Sequence, residues 1–117
     1  MEEIKENEYI RTTQGTIARI EDTEFDICYN TFNQLLYKNW IMSECFYEEI
    51  VKHSSNIIDL IEIGDYVNGK LIHNKFGNPK NGELMIIYGN GKHFDNKNIK
   101  TVVTKEQFAN AEYKVKE

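Results

Sequence analysis

The feature that most limits what this chain can become is its punctuation. Apolar residues fall in short extended runs, and Gly, Asn or Asp cuts each run before a crossover helix would fit. Parallel strands need such crossovers, so these runs are predicted to pair as antiparallel neighbours. Glu8-Tyr9-Ile10-Arg11-Thr12-Thr13 and Thr16-Ile17-Ala18-Arg19-Ile20 flank Gln14-Gly15, which reads as a β-hairpin with Ile10, Ile17 and Ile20 as core candidates. Phe25-Asp26-Ile27-Cys28-Tyr29 alternates and predicts a third strand, with Phe25, Ile27 and Tyr29 on one face.

The middle of the chain reads differently. Thr31-Phe32-Asn33-Gln34 has capping-box spacing, and Phe32, Leu35, Leu36 and Trp40 recur at helical intervals, so a short helix is predicted over about residues 32–38. From Met42 to Val51 helix and strand stay open, although Cys45, Tyr47 and Glu49 alternate with Phe46, Glu48 and Ile50 as in an extended run. Ile57-Ile58-Asp59-Leu60-Ile61 gives one apolar helical turn, Tyr66-Val67 starts a strand, and Asn68-Gly69 marks a tight hairpin or a bulge. Leu71-Ile72-His73 continues extended, 76–82 is a loop, and Glu83 to Tyr88 is the most apolar strand. Gly89-Asn90-Gly91-Lys92 turns back, and Ile99 to Val103 is extended. Thr104-Lys105-Glu106-Gln107 is a second capping box that opens a short helix, and Tyr113-Lys114-Val115 is a candidate edge strand.

These elements predict an α+β fold: a mostly antiparallel, strongly bent sheet, an SH3-like partial barrel with two or three short helices. A length of 117 residues suits a single domain over 1–117. No run of about 18 apolar residues is present, so no membrane partner is expected, and the acidic, polar first residues do not read as a secretory leader. Ile, Asn and Lys dominate, the signature of A/T-rich codons and a low-GC bacterium or its phage. Cys28 and Cys45 lack CxxC spacing and read as buried free thiols in a reducing cytoplasm.

The motifs with chemistry in them fail one by one. His53, His73 and His93 are evenly spaced, but none has a second ligand nearby in sequence. Gly77 to Gly82 matches GxxxxG, yet Glu83-Leu84 stands where a phosphate loop needs Lys and then Ser or Thr. Asp22, Glu24 and Asp26 alternate like calcium ligands, but Ile27 takes the place of the obligatory glycine. No enzyme, cofactor or metal is therefore expected.

Charge is unevenly spread. Residues 1–69 carry −9, whereas 70–105 carry +5. Lys70, Lys75, Lys80, Lys92, Lys97 and Lys100 interleave with Phe76, Tyr88 and Phe94, a pattern that suits single-stranded nucleic acid or a nucleotide. In that reading Lys92, Lys97 and Lys100 are the contacts. Residues 31–49 hold five large aromatics, Phe32, Tyr37, Trp40, Phe46 and Tyr47, more than so small a domain can enclose. Trp40 or a neighbour is expected to stay exposed and to line a partner or homodimer surface.

The run from Ile50 to Gly69, with Glu8 to Thr12 and Ile99 to Phe108, resembles small proteins of clostridial and related prophages. The likeness covers roughly a third of the chain and departs over 24–49. It implies a phage or prophage accessory protein acting in the bacterial host cytoplasm, with no chemistry of its own. Small acidic proteins of that kind, anti-CRISPR proteins among them, inhibit host defence. The resulting expectation is a non-enzymatic inhibitor of a host protein, plausibly a nucleic-acid-handling defence complex, with Trp40, Glu44, Phe46, Tyr47, Glu48 and Glu49 at the contact. Binding of nucleic acid through the lysine stretch is the alternative.

Overall fold

The computed structural model describes residues 3–112 and residue 115. The chain forms two compact units, Met1–Leu60 and Ile61–Glu117. Each is built on a mostly antiparallel five-stranded sheet.

In the first unit the strands are β1 (Tyr9–Thr12), β2 (Ile17–Arg19), β3 (Ile27–Tyr29), β4 (Leu35–Ile41) and β5 (Glu44–Ser54). Their order is β2-β1-β5-β4-β3, an open sheet with β5 at its centre. The hairpin around Gly15 forms as expected, with Ile10 opposite Ala18. Ile4, Ile10, Ile20 and Ile50 are buried together, and Ala18, Ile27, Leu35 and Tyr37 pack against them. Burial of each such isoleucine is worth about 2 kcal/mol, the main favourable contribution in a unit this small. Arg11 points away from that cluster. It is fully buried and donates from Nη1 to the Leu60 carbonyl at 2.9 Å, which ties a 3₁₀ turn at Ile57–Leu60 to β1.

Two expectations are overturned here. The helix over 32–38 is instead a turn and the start of β4. Asn30 Oδ1 accepts from the Phe32 and Gln34 amides at 2.9 and 3.0 Å, and Asn33 takes a left-handed conformation at φ 59°. Gln34, expected to cap a helix, accepts from Asn30 Nδ2 at 2.7 Å. Local side-chain bonds to the backbone thus win over the weak helical spacing. The third strand also starts late. Thr23–Asp26 form a single helical turn, α1, capped by Asp22 Oδ1 accepting from the Glu24 amide at 3.0 Å. Phe25 and Tyr29 are exposed, and only Ile27 of the expected face packs into the core.

The second unit contains β6 (Tyr66–Val67), β7 (Lys70–Gly77), β8 (Leu84–Tyr88), β9 (Lys92–Asp95) and β10 (Val102–Val103), in the order β10-β6-β7-β8-β9. A helix, α2 (Lys105–Ala111), follows with both bonds of its capping box present. Ile61, Val67, Ile72 and Ile86 are buried. Asn68-Gly69 makes a two-residue hairpin with both φ values positive, 52° and 78°. The Asn68 side chain also accepts from the Lys100 and Thr101 amides and donates to the Asn98 carbonyl. That clamp takes the backbone of 98–101 out of the ladder and shortens the expected 99–103 strand to two residues. β9 was not anticipated from the sequence. Of the expected run Tyr113-Lys114-Val115, residues 113 and 114 lie outside those described.

Asp65 fixes the second unit. It is fully buried; Oδ2 accepts from the Glu62 amide at 2.7 Å and Oδ1 from the Lys105 amide at 2.9 Å. One carboxylate thus closes the turn before β6 and anchors the start of α2, where Tyr66 and Phe108 stack with centroids 5.0 Å apart. Asp65→Ala leaves two half-buried amides without that acceptor and should lower stability by about 2 kcal/mol, read from the urea midpoint.

Candidate functional site

The β4–β5 hairpin is longer than the sheet that carries it. β3 lies beside β4 only from Leu35 to Tyr37, and β1 lies beside β5 only from Ile50 to Ser54. Between these limits and the tip, Lys38–Ile41 and Glu44–Tyr47 have only each other as strand partners among the described residues. The result is a two-stranded arm. One face carries Lys38, Trp40, Cys45 and Tyr47; the other carries Asn39, Ile41, Glu44 and Phe46.

Both faces are open. Trp40 is 62% exposed, Tyr47 55%, Ile41 50% and Phe46 48%, values that place all four outside any core. The expectation that Trp40 or a neighbour stays exposed holds for the whole arm. The tip is strained as well. Met42 and Ser43 both have positive φ, 49° and 66°, where a two-residue hairpin favours Asn-Gly.

At its base the arm is bolted to the sheet by Glu48. This side chain is 7% exposed. Oε1 accepts from Thr12 Oγ1 at 3.1 Å and Thr16 Oγ1 at 2.6 Å, and Oε2 accepts from Asn39 Nδ2 at 2.7 Å. Glu48 was grouped with the contact residues in the sequence; it turns inward and serves the fold, because its register opposite Tyr37 places it on the core face. Of the other five, Trp40, Tyr47 and Glu49 share one face, and Glu44 and Phe46 share the opposite one. The six are therefore neighbours along the arm but do not make one patch.

Electrostatics at the arm's base are negative. Burial, then the carboxylates of Asp26, Glu48 and Glu21, push the Tyr37 hydroxyl above its ordinary range. On the outer face, the Tyr47 hydroxyl is also raised, first by its bond with Cys45 and then by the Cys45 and Cys28 sulfurs. Both cysteines are free and half-exposed, not buried as expected, because each sits on the open face of the sheet.

The lysines expected to contact nucleic acid stand on different elements of the second unit. Lys92 lies on β9, Lys97 in the turn after it and Lys100 in the clamped segment, and all three are exposed. Lys97 Nζ is 3.9 Å from Asp95 Oδ2. Tyr88 and Phe94 are half-buried and stack on one another, centroids 4.2 Å apart, so a ring face of each is already covered. Lys75 Nζ donates to the Ile61 carbonyl at 3.0 Å.

One surface hollow was not legible in the sequence. Glu8, His53 and Ser55 line a cavity of about 320 Å³ with Glu3, Lys5, Glu6 and Asn7. Glu8 and His53 are 45 residues apart and meet at 3.1 Å only because β1 and β5 pair. Among the described residues no group of three His, Cys, Asp or Glu could hold a metal, and no helix is long and apolar enough to cross a membrane. No family model, curated protein or solved structure matches this chain.

Two outcomes follow. Burial opposes ionisation of Glu8, but bonds from the Lys5 amide and His53 and their positive charge together hold its pKa below the ordinary 4.5. Its contribution is present above pH 4.5 and is lost as pH falls through the lowered value. Glu8→Gln should therefore be less stable than the parent near neutrality, with the difference shrinking as pH falls below 4.5 through the lowered value, in denaturant titrations at each pH. Replacing Met42-Ser43 by Asn-Gly should relieve the tip and raise stability by about 1 kcal/mol, read as a higher urea midpoint.

Proposed function

We propose that this chain is a non-enzymatic phage accessory protein that binds and inhibits a host protein through the β4–β5 arm. The observation that carries the reading is the arm itself, a ribbon with large apolar side chains exposed on both faces. An isolated two-stranded ribbon is marginal in water, and aromatic residues are the usual anchors of binding hot spots. The partner is a host protein that handles nucleic acid, such as an antiviral defence complex in the bacterial cytoplasm. The charge of the first unit supports this choice: residues 1–60 hold 12 acids and five bases, a net −7 that suits a surface shaped for phosphates. Resemblance to prophage proteins points the same way. Within this proposal the first unit is an SH3-like partial barrel. Its support is the 11-residue β5, which pairs with β4 over its first half and β1 over its second.

A second reading gives the exposed Lys92, Lys97 and Lys100 to single-stranded nucleic acid, supported by the net +2 of residues 61–117. The mutual stacking of Tyr88 and Phe94 weighs against it.

The test is capture of a basic, nucleic-acid-binding protein from host lysate by the immobilised chain. Trp40→Ala should weaken that capture by about 2 kcal/mol, roughly 30-fold, while the thermal midpoint stays put. Glu44→Lys with Glu49→Lys should weaken it further. Equal capture by all variants would end the proposal, and retardation of single-stranded DNA lost in Lys92→Glu, Lys97→Glu and Lys100→Glu would favour the second reading.

A further inference from the structure

The arm offers its backbone as well as its side chains. The Thr13 amide donates to the Glu49 carbonyl at 2.9 Å, so Glu49 turns its peptide groups away from β4. Strand groups alternate, so Cys45 and Tyr47 do the same, and across the ribbon Lys38 and Trp40 turn theirs outward on the side where β3 would continue. β3 does not continue: it stops opposite Tyr37, and the chain before it folds back as α1, which packs against β3 and β4. The Ile27–Tyr37 pairing takes up the Lys38 amide, and from the Lys38 carbonyl to Ile41 the outer edge of β4 is left as an open slot in line with β3.

An open strand edge is a template for another strand. What lies beside this one selects the kind. The segment that closes the slot at its inner end carries Glu21, Asp22, Glu24 and Asp26, with Glu21 and Glu24 exposed. Asp26 and Glu21 already raise the Tyr37 hydroxyl at the same end. Trp40 stands on one side of the slot and Ile41 on the other. A strand laid there would run one row of side chains along the Trp40 face and the alternate row along the Ile41 face, with its end against the carboxylates.

We propose that the arm takes its partner by strand addition at the Lys38–Ile41 edge of β4, and that the added strand is an extended segment in which basic and apolar residues alternate. This rests on the arm being the docking site but is separable from it, since the arm can bind a folded surface by side chains alone.

The probe is a labelled seven-residue peptide of alternating lysine and valine, titrated with the full chain by fluorescence anisotropy. It should bind and weaken with salt; the glutamate–valine counterpart should bind at least roughly tenfold more weakly. The lysine–valine peptide N-methylated at every backbone nitrogen keeps its side chains and charge but cannot pair, and should not bind. Glu21→Lys with Glu24→Lys should weaken the parent peptide about tenfold without altering the unfolding midpoint. Equal binding of the methylated peptide would show side-chain docking and overturn strand addition while leaving the arm as a binding site. Equal binding of the acidic peptide, no binding of the basic one, or a dimer of this chain that occupies the edge would each overturn the proposal.

Discussion

The Glu48 carboxylate holds the place where sheet gives way to ribbon. Thr12 and Thr16 reach it from the β1–β2 side and Asn39 from β4, so one side chain fixes the register of three strands at once. No cation is among these three donors, and an enclosed carboxylate without them would carry a large desolvation cost. On the sheet side of this point β5 passes from β4 to β1, which pairs with it from Ile50 to Ser54. Beyond it the strand runs on with β4 alone, and the isoleucine core that supports the rest of the unit has ended.

The same division explains the exposed aromatics. A unit of some 60 residues encloses a few isoleucines and little more. Trp40, Phe46 and Tyr47 lie on the far side of Glu48 from that cluster, where each face of the ribbon meets water. Their chemistry favours contact with a second surface, and the strained Met42-Ser43 tip, which keeps bulky or polar side chains where Asn-Gly would be easier, fits a segment shaped for contact rather than stability.

Much of the fold was legible locally. The Gly15 hairpin, the Asn68-Gly69 turn and the second capping box each have a short-range signal whose chemistry has one outcome. The first capping box failed because Asn30, one residue upstream, offered the backbone a competing set of bonds that no spacing rule records. Exposure in 31–49 followed from counting aromatics against volume, but the two faces of the arm did not, because facing depends on β4–β5 register. Glu48 shows the limit plainly. In sequence it is one of two adjacent acids; in space it faces Thr12, 36 residues away. The Glu8–His53 pair was hidden for the same reason.

The central claim is that the arm is a ribbon whose outer edges have no partner. Amide hydrogen exchange on the full chain measures this directly. The account predicts fast exchange at Trp40, Cys45 and Tyr47, whose amides face outward, and slow exchange in β5 from Ile50 to Ser54, where β1 pairs with it. Protection at Trp40, Cys45 and Tyr47 equal to that of the Ile50–Ser54 segment would mean that the arm's edges are already covered, and would contradict it.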